Sequence, residues 1–230
     1  MTNRFSNQAS EAKDLSEALN RSMPAWIDGK VAIEVMRSEG SRNWRQMEWI
    51  GWWLEHIVEQ HVTPDIGGSR GPKYGKTEFD LKRNYVWDLK VHLENNDWLI
   101  LNDQEAVSNC LDEYEGLGYL IVEGSADFDV DGKFKDWHNL QKGGISKYEE
   151  GRITRGANSR IRKKSFTAER ILAIWIPGTD DVLNAVKSGW IKGFQEGMRN
   201  SNGNARRSKF QINLGLVPEE YVLLDHQIIS

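Results

Sequence analysis

The chain has 230 residues, 39% of them hydrophobic and 28% charged, with 30 Lys+Arg against 34 Asp+Glu. That length suits one core burying roughly 70% of the surface of the unfolded chain, and the composition excludes wholesale disorder. A net charge of −4 argues against a generally basic coat for nucleic acid, and no apolar run approaches the roughly 20 residues that span a bilayer. The polar start, MTNRFSNQASEAKDL, lacks the apolar stretch of a signal peptide. A single cysteine, Cys110, rules out an internal disulfide framework and a cysteine-built zinc site, and fits a reducing compartment such as the cytoplasm.

In chain order, the first forty residues read as a helical lead anchored by Leu15, Leu19, Trp26, Ile27, Val31 and Ile33. Residues 44–62 carry Met47, Ile50, Leu54, Ile57, Val58 and His61 on one helical stripe, and Thr63-Pro64-Asp65 is expected to end that helix. A glycine-rich stretch follows, with Gly67, Gly68, Gly71 and Gly75. From Glu78 to Leu93 the period changes to two, which predicts strands. A helix is predicted over 103–115, strands over 119–123 and 171–176, and a helix over 180–197 that carries Trp190, Ile191 and Phe194. The tail, 210–217 and 221–224, reads as strand. Helices interleaved with strands, without repeats or long linkers, predict a single α/β or mixed-sheet domain with helices on both faces.

The hairpin at 78–92 carries the chemistry. Phe79, Leu81, Trp87, Leu89 and Val91 are odd-numbered and apolar, whereas Asp80, Lys82, Asp88, Lys90 and His92 are even-numbered and polar. The two apolar faces coincide only in certain registers, and a three-residue turn centred on Asn84 gives one of them. Asp80 then lies across from Asp88, with Cβ atoms about 5 Å apart, and Lys90 is two residues along the same face. Two carboxylates held so close call for a cation such as Mg²⁺, and a neighbouring lysine can orient or help deprotonate a water. A solvated, salt-bridged outer face accounts for the same alternation.

Phe79-Asp80-Leu81, a tight turn and Trp87-Asp88-Leu89-Lys90 resemble the active-site hairpin of the PD-(D/E)XK nuclease superfamily. The resemblance covers mainly residues 45–95. It implies metal binding by Asp80 and Asp88, water activation by Lys90, and a restriction-endonuclease-like mixed central sheet flanked by helices. No proline precedes Asp80, and Asp65 of the Pro64-Asp65 pair is an alternative first acid in a turn without strand pattern. Glu48, Glu55 and Glu59 fall at about 100°, 80° and 120° from Met47 around the preceding helix. By resemblance Glu55 is the one expected beside the metal; a solvated helix border is the plainer reading for each of the three.

Arg70-Gly71-Pro72-Lys73-Tyr74-Gly75-Lys76-Thr77 falls short of a P-loop, because arginine stands where the first glycine belongs. As a basic loop it can still approach phosphates through Arg70 and Lys73. Asp127–Gly132 imitates the start of an EF-hand, but His138 takes the twelfth position, so a surface turn is expected. Positive charge is segregated. Residues 142–164 have a net charge of +6 and residues 199–209 one of +4, leaving −14 elsewhere. Lys147, Arg155, Asn158, Ser159, Arg160, Arg162, Lys163, Arg206 and Arg207 are the expected DNA contacts.

These readings together point to a Mg²⁺-dependent, sequence-specific endonuclease on double-stranded DNA, resembling a bacterial type II restriction enzyme. A homodimer is implied by that resemblance. A repair or phage nuclease of the superfamily, a DNA-binding module without chemistry, and a glycoside hydrolase using paired carboxylates beside some of the ten tryptophans are the alternatives.

Overall fold

A polar carboxylate on an otherwise apolar helix face fixes the centre of the molecule. The computed structural model describes residues 4–72, 78–158, 160–200 and 203–228. Helix α1 (Ser6–Ser22) buries Ala12, Leu15, Ala18 and Leu19, and with them Glu11, only 3% exposed. The Glu11 carboxylate accepts from the backbone N–H groups of Asn84 and Tyr85, from Asn84 Nδ2 and from Trp87 Nε1, at 2.7–3.2 Å. All three residues belong to the turn and second strand of the hairpin.

The chain continues through β1 (Trp26–Asp28), α2 (Gly29–Ser38), a 3₁₀ turn (Arg42–Arg45) and α3 (Trp49–Ile57). A π turn (Val58–Val62) and the short α4 (Thr63–Ile66) extend the helix beyond its expected end. Pro64 sits in the first turn of α4, where its missing N–H costs nothing, and Gly67 at φ 80° ends the helix instead. The π turn also shifts the apolar stripe, so Val62 is buried and His61 is exposed.

Next come β2 (Ser69–Arg70), β3 (Leu81–Lys82), β4 (Val86–Leu93), β5 (Trp98–Asp103), α5 (Gln104–Glu113) and β6 (Leu117–Phe128). Helices α6 (Lys133–Gln141) and α7 (Lys147–Thr154) precede the long β7 (Lys163–Ile176). Helix α8 (Thr179–Ser188), β8 (Ile191–Phe194), β9 (Lys209–Asn213) and β10 (Val222–Gln227) complete the chain. The helix expected over 180–197 stops nine residues early. Gly189, at φ 81°, reverses the chain, and Ile191 is buried from a strand instead.

The main sheet has the order β1-β7-β6-β4-β3-β2, with β10 sharing the edge of β7 with β1. Among the described strands only β4 and β6 run parallel, joined by the crossover through β5 and α5. A second, antiparallel sheet has the order β5-β9-β8. The fold is therefore α/β with a mixed central sheet flanked by helices, as the alternation of elements predicts. Along β6, Leu120 and Val122 face α1–α3 and α6, while Tyr119 and Ile121 face α5, α8 and the small sheet. Both faces of the sheet are covered, so the even-numbered residues of β4 are enclosed rather than solvated. Gly118 lies opposite Trp87 because any Cβ there would come within 2.3 Å of the indole. Among the described residues no helix is long and apolar enough to cross a membrane.

The region of the first basic tract is anchored by buried polar groups. Asp129 accepts from Phe134 N and Lys135 N at the start of α6, so the imitation EF-hand is a helix cap. His138 donates from Nε2 to the Trp44 carbonyl at 2.8 Å and accepts at Nδ1 from Arg162 at 3.1 Å. Burial, opposed by the Trp44 carbonyl and aided by the Lys142 and Arg162 charges, pushes His138 down to about 4.

Replacing Glu11 by alanine leaves the buried Trp87 indole N–H and three part-buried donors of the turn without their acceptor, and urea denaturation should register a loss of about 1–3 kcal/mol. His138 sets a second expectation. Its stabilising contribution is complete above pH 6.5 and is lost as pH falls towards 4, by about 3 kcal/mol in all. His138→Gln keeps a donor and an acceptor, so its stability should fall less steeply than the parent's across that range. An identical slope in the two proteins would disprove the assignment.

Candidate functional site

The hairpin has the register that its parity demands. Leu81 pairs with Trp87 and Lys82 with Val86, around a turn centred on Asn84. The ladder stops there. Asp80 lies just outside β3, donates its N–H to the Trp87 carbonyl, and turns its side chain to accept the Leu89 N–H at 2.8 Å. Asp80 therefore caps the hairpin rather than standing as a paired strand residue across from Asp88. Gly71 permits this bend: its N–H reaches the Asp80 carbonyl at 2.8 Å, and a Cβ there would lie 2.0 Å from the Phe79 carbonyl oxygen.

Asp88 is 1% exposed, in the middle of β4. Its Oδ1 accepts from Asn102 Nδ2 at 2.7 Å, and its Oδ2 is ion-paired with Lys90 Nζ. Lys90 also donates to Asn102 Oδ1 at 3.0 Å, and Asn102 Nδ2 lies 3.3 Å from the Glu78 carbonyl. Asn102 thus ties the acid, the lysine and the approach to Asp80 together. The sequence pattern did not single it out, nor the strand β5 that carries it; the continuous apolar run Trp98-Leu99-Ile100-Leu101 was the available signal. Glu55 comes from α3 on the other side. With Asp80, Asp88, Lys90 and Asn102 it lines a cleft of about 690 Å³, walled also by Trp52, Glu78, Asp103 and Glu105.

A smaller cleft of about 380 Å³ shares Trp52, Glu55 and Asp80 with the first and continues to Arg42, Asn43, His56 and Arg70. Of the helix glutamates, Glu55 reaches the site. Glu48 pairs with Lys163 at 2.7 Å, and Glu59 with Arg70. Asp65 pairs with Arg21 at 2.7 Å and lines neither cleft.

Electrostatics couples the cluster. Burial, then the Asp88 charge, raises Asp80 well above the usual carboxylate range. Burial raises Glu55 to about 7, against the pull of Arg70 and Lys90. For Lys90 burial works downward, but Asp88, Asp80 and Glu55 outweigh it and hold the side chain as an ammonium. Among the described residues no three carboxylate, imidazole or thiolate groups converge to enclose a cation. Mg²⁺ does not require such a cage, since it is held by one or two carboxylates together with water and substrate phosphate. A pair of mutually repelling, desolvated acids, Asp80 and Asp88, is a fitting donor set for it.

Those of the expected DNA contacts that lie among the described residues divide into three groups. Lys147, Arg155, Asn158, Arg160 and Arg206 are exposed. Arg207 lines the larger cleft and pairs with Asp103 at 3.2 Å, and Lys209, which was not among the expected contacts, does the same at 2.8 Å. The others are committed elsewhere. Arg70 is held by Glu59 and lies 3.7 Å from Glu55, and Lys163 is held by Glu48. Arg162 is 6% exposed and bound to His138 and Asn139, so it braces the core and is withdrawn from the surface. Lys73 and Ser159 lie outside the described residues.

Because Glu55 is raised above its ordinary value, the folded chain holds its proton more tightly than the unfolded chain. Stability is therefore lost as pH rises from 4.5 to about 7. Glu55→Gln should stabilise the protein at pH 8 by about 1–3 kcal/mol and leave it unchanged at pH 4. A variant no more stable than the parent at pH 8 would count against the buried cluster.

Comparison of the chain with protein-family models, with curated proteins and with solved structures finds no match.

Proposed function

We propose that the protein is a Mg²⁺-dependent, sequence-specific endonuclease acting on double-stranded DNA, of the type II restriction kind, in the bacterial cytoplasm and as a homodimer. The observation that carries this reading is the meeting of Asp80, Asp88, Lys90 and Glu55, from three separate segments, in one cleft. The mixed sheet flanked by helices agrees with the fold that the hairpin resemblance implies.

Asp80 and Asp88 would hold the cation, whose chemistry when bound is to polarise the scissile phosphate and acidify a water. Lys90, an ammonium beside Asp88, orients the attacking water and offsets charge gathering on the phosphate oxygens. Asn102 keeps Lys90 and Asp88 in register, and Glu55, titrating near neutrality, accepts the proton of the water. The water oxygen bonds to phosphorus, one P–O ester bond breaks, and the released proton finally resides on the leaving oxygen. Binding of the substrate strand is supported by Arg207 and Lys209 at the cleft wall.

Incubation with phage DNA and Mg²⁺ tests the reading. Discrete bands are expected; a smear means a non-specific nuclease, and intact DNA overturns the assignment. Asp88→Ala and Lys90→Ala should each cut at least about 100-fold more slowly. Mg²⁺ should raise the melting temperature of the parent and not that of Asp88→Asn.

A further inference from the structure

Three arginines, Arg37 in the last turn of α2 and Arg42 and Arg45 in the 3₁₀ turn that follows, belong to neither basic tract. Arg42 lines the smaller cleft together with Glu55 and Asp80. Arg37 and Arg45 lie over the Trp44 ring, 5.3 and 4.9 Å from its centroid. The Trp44 carbonyl is the acceptor for His138 in α6, and Lys142 follows directly at the end of that helix. Burial and then the charges of Arg162 and Arg45 push Lys142 down to about 8, with Glu149 pulling it back. Glu149 is itself engaged by Arg152 and Lys135. Among the described residues Arg42, Arg45 and Lys142 form no ion pair.

Helix α7 prolongs this ribbon of cations. It is capped by Ser146, tethered to α6 through Glu149 and Lys135, and buries none of its residues. Lys147 at its start and Arg155, which caps its end, are exposed without an ion-pair partner among the described residues. Tyr148 (70% exposed), Ile145 and Ile153 are exposed beside them. Among the described residues folding thus leaves these cations without an ion-paired carboxylate, next to exposed apolar side chains. A second copy of the chain related by a two-fold axis would set these cations against themselves. A duplex offers phosphates to the cations and base edges, including thymine methyls, to the apolar groups.

We propose that Arg42, Arg45 and Lys142, continued by Lys147 and Arg155 at the two ends of α7, form the docking face for the DNA backbone and lead the duplex into the smaller cleft beside Asp80. The proposal rests on the endonuclease reading for its substrate and adds the route by which that substrate reaches the site.

The test is fluorescence anisotropy of a labelled duplex in EDTA, so that binding is measured without cleavage, across a series of KCl concentrations. Arg45→Gln/Lys142→Gln should bind at least about tenfold more weakly, with a salt slope shallower by roughly 0.9 for each phosphate that is no longer neutralised. Its thermal stability should stay close to the parent's, because the lost contact of Arg45 with the Trp44 ring is offset by relief of the repulsion between Arg45 and Lys142. Lys13→Gln/Lys187→Gln, in α1 and α8, should bind as the parent does. Parental affinity and slope in the Arg45/Lys142 variant overturn the docking face. A switch of that variant from dimer to monomer with DNA affinity intact overturns it too, and assigns the surface to a second copy. A parent that binds no duplex removes both the docking face and the nuclease reading. A parent that binds but does not cut phage DNA with Mg²⁺ removes only the nuclease reading and leaves the docking face standing.

Discussion

The buried carboxylate of Glu11 is the constraint on which the candidate site depends. A hairpin whose first strand is two residues long has little ladder of its own with which to hold register. Glu11 supplies what the ladder lacks, since its four donors come from the turn and from Trp87 at the start of β4. Sliding the hairpin by one residue would pull Trp87 off Gly118 and leave a charged group buried without partners. The same slide would turn Asp88 and Lys90 onto the face packed by α1–α3. Register and chemistry are therefore fixed by one interaction from a helix that lines neither cleft.

Burial on both sides of the sheet then determines the electrostatics. Because β4 is a central strand, its polar residues open into a cleft between α3 and β5 rather than into bulk water. Desolvation raises Asp80 and Glu55, and the charges of Asp88, Asp80 and Glu55 in turn hold Lys90 charged. Two amide-based contacts keep this arrangement from collapsing into plain ion pairs: Leu89 N–H caps Asp80, and Asn102 bridges Asp88 to Lys90. Each acid is thereby oriented by a neutral group and remains an available oxygen donor.

Alternation at 78–93 made the hairpin register legible, including the turn at Asn84, because period two permits few pairings. The stripe over 44–62 made α3 legible and put Glu55 on the correct flank. Boundaries were less so. The π turn and Gly189 changed the path of the backbone at positions where apolar periodicity continues, so His61 and the stretch 189–197 were misplaced. Asn102 was illegible for a different reason: its role arises from β5 reaching across to β4, a contact made by the second sheet and by no local pattern. Charge counting located the basic tracts but could not separate Arg162, spent on His138, from Arg160, which is exposed.

The clefts and the ribbons leading to them carry opposite charge, and that opposition has a consequence for any polyanionic ligand. The larger cleft is lined by Glu55, Glu78, Asp80, Asp88, Asp103 and Glu105 against Lys90, Arg207 and Lys209. Two of those three cations already answer Asp103, and the third answers Asp88. A phosphate drawn along the basic surface thus meets an excess of negative charge at the cleft itself. The basic approach can hold the ligand by itself, and a cation entering the cleft offsets the unfavourable charge at the last step. Attraction at a distance and repulsion at contact make the ternary arrangement of protein, divalent ion and phosphate more favourable than either pairwise encounter. The acids that burial has raised are the ones a bound cation would draw back into their ionised form. The net charge of −4 is therefore no obstacle to a polyanion, since it is the sum of a basic approach and an acidic cleft.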